Sequence, residues 1–319
     1  MEQDTRFDIW DKFVVGRRSS ALGLLAASPF NPNNVIQHNC FSPVAVGALG
    51  GSGTRVIGQL LMDCGIYIGD NLNGPNDNLT FTCLFKRPEL YGCGETEIRE
   101  HLRTFEKHMS GQGWDPIDYK RYRQAFYNNP HCSKRPLSLY KELFEIWWKN
   151  KFSNDRPERW GWKEPNTQVF LEHIANYSED ISYIHVVRHG LDMAYSNNRQ
   201  QLGLWSHLHE IIVPEEEPEI FVAQLEYWIK ANKRSIDIGK RALGDRFYQL
   251  NYEAMCNSPE RVIPELLSFL RIQVSPDKLE ELIRLPRPTT QGRYRSRDNS
   301  IFPEWMIDEV RQLGFEIEV

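Results

Sequence analysis

The chain has 319 residues, 40% of them hydrophobic and 25% charged, a balance usual for a folded protein of one large or two ordinary domains. Thirty-eight basic against forty-three acidic side chains leave a net charge of −5, which excludes the overall basic footprint of a nucleic-acid binder and makes any anion site a local one. No run approaches the roughly 18 apolar residues of a membrane span, and the six cysteines are dispersed without a C-x-x-C pair or zinc spacing, so a reduced, cytoplasmic chain is expected.

Residues 1–39 are predicted as an N-terminal helical extension. Phe7, Trp10, Phe13, Val14, Leu22, Leu24 and Leu25 have helical spacing, and the prolines of SPFNPNN end the run. Arg17-Arg18 precede only a short weakly apolar stretch, ALGLLAA, too short for a twin-arginine export signal. A main domain is expected over 40–319. It opens with PVAVGAL (Pro43 to Leu49), a short apolar run followed at once by glycines, the mark of a buried parallel strand entering a turn. A helix begins near Thr54. Residues 97–151 read as three helices broken at Pro and Asn, an insertion forming a lid or side layer. A short strand then ends at Lys163, and Pro165-Asn166 open a helix. Ile181–Val187 is a second buried strand followed by a helix from Gly190 to Gln201, and a long helix covers about 217–243. RFYQLNY is a third strand, and PERVIPELLSFL another helix. This alternation implies an α/β fold of three layers, a central, mostly parallel sheet with helices on both faces.

Two segments carry chemistry. Gly50-Gly51-Ser52-Gly53-Thr54-Arg55 joins a strand to a helix. Glycines let successive N–H groups converge, and the helix N-terminus adds partial positive charge, so such a loop holds a phosphate without a cationic side chain. Tight packing of helix on sheet is the other use of glycine here. No Lys precedes Thr54, and the Gly47-to-Gly53 spacing departs from the nucleotide-hydrolysing pattern, which counts against a P-loop small-molecule kinase. In VVRHGLDMAYSNNR, Arg188 sits at a strand end with Ser196 eight residues on. Open parallel sheets bind ligands beyond their strands' carboxyl ends, so Arg188 and the first loop would share one crevice; a structural Arg188–Asp192 ion pair is the alternative.

Strand, GGSGT, helix, then R-x7-S after a later strand resemble the sulfotransferase family that uses 3′-phosphoadenosine 5′-phosphosulfate (PAPS). LNYEAMCNSPERVIPELLSFL and GRYR (Gly292 to Arg295) resemble its later segments, so the likeness runs from about Ser42 to the C-terminus. It implies a P-loop-type fold and transfer of a sulfuryl group from PAPS to an acceptor hydroxyl or amine, releasing 3′,5′-ADP. No metal is expected. Gly51, Ser52, Gly53 and Thr54 would hold the 5′-phosphosulfate, Arg188 and Ser196 the 3′-phosphate, with Tyr252 near adenine and Arg293 reaching in from the C-terminal loop.

Two departures stand out. The family places Lys or Arg where this chain has Gly51, which leaves Arg55 and, favoured by its strand-end position, Lys163 to supply the catalytic cation. Pro165 stands where many members carry a catalytic His, so the general base is expected at Asp77, with Glu164 second and Asp70 in the same loop as Asp77. His189 reads as a helix-entry residue, and His207 and His209 lack a third ligand at metal spacing. Tyr119, Tyr122, Phe126, Tyr127, Trp147 and Trp148 are expected to shape a pocket for a small-molecule, carbohydrate or lipid acceptor. The departures also motivate a non-catalytic alternative, a 3′-phosphonucleotide-binding protein of the same fold.

Overall fold

The computed structural model describes residues 35–36, 42–133, 136–152, 157–287 and 291–317. The chain divides into a unit of Met1–Pro32 and a unit of Asn33–Val319. The helix expected over residues 1–30 lies outside the described residues, and the elements below all belong to the second unit.

Six strands are described: β1 (Val35–Ile36), β2 (Val44–Ala48), β3 (Gly161–Lys163), β4 (Ser182–Val187), β5 (Phe247–Asn251) and β6 (Gln273–Val274). Four of them make a sheet in the order β3-β2-β4-β5 with every neighbour parallel, while β1 and β6 pair antiparallel apart from it. Val35 and Ile36, inside the stretch expected as a separate extension, therefore pair with the main unit. In register, Val46 lies beside both Lys163 and Ile184, and Val187 beside Asn251. The carboxyl ends of the strands thus open on one edge, where ligands of parallel sheets bind.

Side chains alternate across a strand, so each apolar strand feeds two cores. Val44, Val46 and Ala48 of β2, with Ile184 and Val186 of β4, pack on one face against Ile57, Leu60 and Leu61 of helix α1 (Arg55–Asp63) and against the helix Pro259–Phe269. On the other face Ala45, Tyr183 and Val187 pack with Phe170 and with Trp228 of the helix Glu219–Leu243. Ile57, Leu60 and Leu61 are fully buried, each stabilising the packing by about 1.5–3 kcal/mol relative to exposure. α1 is therefore held against β2 by its hydrophobic face.

The expected helical segment is present as Glu95–Met109, Pro116–Asn128 and Pro136–Phe152. Asp115 starts the second of these with a reciprocal cap involving Asp118 and with Pro116 in the first turn. The single helix expected from Gly190 to Gln201 is instead two, Gly190–Ala194 and Gln200–Trp205. Ser196 Oγ accepts from Asn198 N at 3.2 Å and Asn198 Oδ1 from Gln200 N at 3.4 Å. These local side-chain bonds replace helical ones and leave Ser196 in a turn.

Candidate active site

β2 ends in a tight turn in which Ser52 N donates to Leu49 O at 3.1 Å. Gly51 and Gly53 have φ of +99° and +82°, values that side-chain-bearing residues reach only with strain. At Gly53 a Cβ would also lie 2.1 Å from the Tyr252 ring, so the loop lies directly on that ring. Thr54 begins α1 without a side-chain cap, and the first turn holds no acidic residue. The amide end of α1 is therefore uncompensated positive charge facing an open cleft, a fit for a phosphate group. Ser52 and Thr54 are buried, while Arg55 is exposed at the cleft wall.

Arg188 emerges from β4 into the same place. It is 5% exposed, donates from Nη1 to Gly51 O at 3.0 Å, and its guanidinium lies 5.1 Å from the centre of the Tyr252 ring. Ser196 is buried close by, its Oγ 3.9 Å from where a Cβ on Gly51 would stand. Asp192 is 3.9 Å from Arg188 and Glu253 4.0 Å. Asp192 accepts shorter bonds from Gly292 N (2.7 Å) and Tyr294 N (3.2 Å). Its main contacts therefore fasten the Gly292–Arg295 segment beside Arg188. Burial first, then the neighbouring Arg188 charge, pull the Arg293 guanidinium below its usual range. Burial pushes the Tyr252 phenol up to about 12.

At the other end of the cleft the loop after α1 runs along β3, because Asn78 N donates to Lys163 O at 2.8 Å. This brings Asp77 against Lys163 Nζ in an ion pair, while Asp77 Oδ2 accepts from Asn73 Nδ2 at 2.8 Å. Lys163 is 1% exposed. Burial pulls its amine below the usual lysine range against the opposing pull of Asp77. Glu164 is also buried, accepting from Asn166 N, from Asn166 Nδ2 at 2.8 Å and from Thr82 Oγ1 at 3.4 Å. Burial raises its carboxyl above the ordinary range. Both of its oxygens are held by the chain, as in a helix cap. Asp70 does not line the cleft; it accepts from Tyr67 and pairs with Lys149.

The cleft between these ends has a volume of about 720 Å³. Arg55, Lys86, Lys163, Arg188 and Arg287 line it against Asp77 and Glu164, so an acidic chain presents a locally cationic site. Lys86, Arg287 and the amide run Asn198, Gln200 and Gln201 also line it, and none of them was singled out from the sequence. The amides follow Ser196 directly, in a segment already marked by Arg188. None of the aromatic side chains of 97–151 expected to shape an acceptor pocket lines this cleft. Tyr122 and Phe126 are consumed by the core, and Tyr127, Trp147 and Trp148 are exposed elsewhere.

His189 caps the helix that follows it, accepting from Leu191 N at 3.2 Å, and stacks on Tyr294. Among the described residues no group of three or more His, Cys, Asp or Glu is placed to hold a metal ion, and no helix is long and apolar enough to cross a membrane.

Residues 43–276 match the model of a family described as the sulfotransferase family. No curated protein matches the chain. Solved structures similar to it include the sulfotransferase domain of the olefin synthase of Synechococcus PCC 7002 (15% identity over 88% of this chain and 98% of that one, TM-score 0.44). The sulfotransferase domain of the curacin biosynthetic pathway is also similar (14%, 88% and 100%, TM-score 0.46), as is a sulfotransferase from Mycobacterium avium (14%, 88% and 79%, TM-score 0.46).

Proposed function

Since the chain belongs to the sulfotransferase family, we propose that it transfers a sulfuryl group from PAPS to an acceptor hydroxyl or amine and releases 3′,5′-ADP. The observation that carries this reading is convergence. The uncapped start of α1, Arg188 and Ser196 meet at one loop, while the Lys163–Asp77 pair stands at the far end of the same cleft.

PAPS supplies the activated sulfuryl group. The amides of Gly51–Thr54 and the hydroxyls of Ser52 and Thr54 receive the 5′-phosphosulfate, and Arg188 and Ser196 the 3′-phosphate. Tyr252, held against Gly53, bounds the base side, and Arg293 reinforces the 3′-phosphate end. Gly51 carries no cation, so Lys163 takes the charge-stabilising part, with Arg55 at the cleft wall as a second cation. Asp77 is the general base, placed by Asn73 and by Lys163 itself. Glu164, fully hydrogen-bonded, positions the segment behind Lys163. Sulfuryl transfer resembles phosphoryl transfer in depending on positioning and fixed charge, which backbone amides and side chains of this cleft supply together.

Calorimetry tests the reading. 3′,5′-ADP is expected to bind at least 100-fold more tightly than 5′-AMP, a preference of about 2.7 kcal/mol that two buried phosphate contacts can supply. Arg188→Ala should erase that preference while circular dichroism stays native. Equal affinity of the wild type for the two nucleotides would refute the assignment. A non-catalytic nucleotide-binding role is favoured by one observation, the missing cation at Gly51; it predicts the same binding with no sulfate transfer to any acceptor.

A further inference from the structure

We infer that the acceptor is a sugar, presented as a polyhydroxylated ring, and not an apolar phenol, steroid or acyl alcohol. The inference rests on the sulfotransferase reading above and concerns the half of the cleft that the nucleotide does not claim. Strand order divides the cleft. Tyr252 follows β5 and Arg188 follows β4, whereas Lys163 ends β3 on the opposite edge. The acceptor half is therefore the β3 side, walled by Asn76, Asp77, Lys86 and Glu164, with Gln200 joined to Lys86 and Gln201 at the end of the adjoining β2.

No aromatic side chain belongs to that wall. Beside its charged groups and Pro75 and Pro165 stand amides, which both donate and accept, as a sugar hydroxyl does. Gln201 shows this most directly. It is 6% exposed, its Nε2 donates to Ala48 O at 3.3 Å, and its buried Oε1 has no hydrogen-bond partner among the described residues. A buried acceptor at a cleft wall is costly unless a ligand or water donates to it. Gln200, exposed at the rim, contacts Lys86 across the cleft and leaves its amide 3.4 Å from His131 Nδ1.

An apolar ring or chain placed here would strip water from these groups and return no hydrogen bond, and sites built to hydrogen-bond reject ligands that lack the matching group. In the transfer, a bond forms from a ring hydroxyl oxygen to sulfur and the bond from sulfur to the 5′-phosphate oxygen breaks. The hydroxyl proton passes to Asp77 and then to solvent.

The test measures sulfate transfer from PAPS by the full chain to methyl and octyl glycosides of glucose, galactose, mannose and N-acetylglucosamine, alongside 4-nitrophenol and 1-octanol. At least one methyl glycoside should exceed both non-sugar acceptors in kcat/KM by 100-fold or more. A further gain with the octyl glycosides would place the sugar on a lipid, and equal rates would place it on a free saccharide. No transfer to any glycoside, or a phenol or octanol performing as well, overturns the inference. Binding of 3′,5′-ADP on the same sample separates this failure from failure of the underlying reading, which would abolish nucleotide binding too. Gln200→Leu and Gln201→Leu should each raise the glycoside KM about 10-fold with 3′,5′-ADP affinity within twofold; an unchanged KM in both overturns the inference. Gln200 is exposed, so its variant decides the matter if the other fails to fold.

Discussion

The two ends of the cleft are built by different means. The nucleotide end is built mainly on backbone, two glycines at positive φ and the free amide end of α1, with one arginine side chain bonded to a loop carbonyl. The β3 end is made of side chains that hold one another, Lys163 with Asp77, Glu164 with Asn166, and Lys86 with Gln200. Backbone amides anchored by a buried helix face stay where the fold puts them, so the first end is preorganised for one shape of anion. We read the first end as the fixed donor site and the second as the part that defines this enzyme's own reaction.

Replacing Lys163 tests that division with the largest expected effect. Lys163→Met keeps the length and apolar stem of the side chain but removes the charge beside Asp77. A loss of 10²–10³ in kcat is expected, the scale of one catalytic charge-stabilising contact, with 3′,5′-ADP affinity changed less than threefold. Single-turnover sulfate transfer and calorimetry on the same variant give both numbers. A large loss of nucleotide affinity would break the comparison, because it would put Lys163 in the donor site. Gly53→Ala strikes the opposite end. The added methyl would meet the Tyr252 ring at a positive φ, so a loss of about 1–3 kcal/mol in stability is expected, together with weaker 3′,5′-ADP binding. Denaturant midpoints and calorimetry check it, and unchanged values would mean the loop is not held against the ring.

What was legible in the sequence follows the same line. A glycine loop after an apolar strand, and an arginine at the end of another, announce themselves because each is a local pattern. β2, β4 and β5 were expected within a residue or two of where they lie. Lys163 and Asp77 were named separately, but their pairing depends on Asn78 N reaching Lys163 O across 85 residues of sequence, which no local pattern reveals. Ser196 was marked by its spacing, but the helix expected to carry it ends at Ala194, since the hydrogen bonds of Ser196 and Asn198 compete with a spacing that still looks helical. The aromatic residues of 97–151 misled for a related reason. Aromatic content marks a core or a surface as readily as a pocket, and only the packing of the insertion shows which. Lys86, Gln200 and Gln201 gave no signal beyond being polar.

The smallest expected effect concerns how the β3 end is held, and it appears in the pH dependence of stability. Burial raises the Glu164 carboxyl above its ordinary value of 4.5. Between that value and its raised value the folded chain binds more protons at this site than the unfolded chain. Stability from Glu164 is therefore greatest at low pH and declines as pH rises through this window. Glu164→Gln keeps an oxygen to accept from Asn166 N and cannot ionise. The Tm of the variant relative to wild type should therefore climb as pH is raised from 4 to 7, by a few degrees at most. The opposite slope would mean that the hydrogen bonds from Asn166 and Thr82 outweigh burial and hold Glu164 ionised. Glu164 would then stand at the β3 end as a second fixed carboxylate, able to take a proton, and would compete with Asp77 for the role of base.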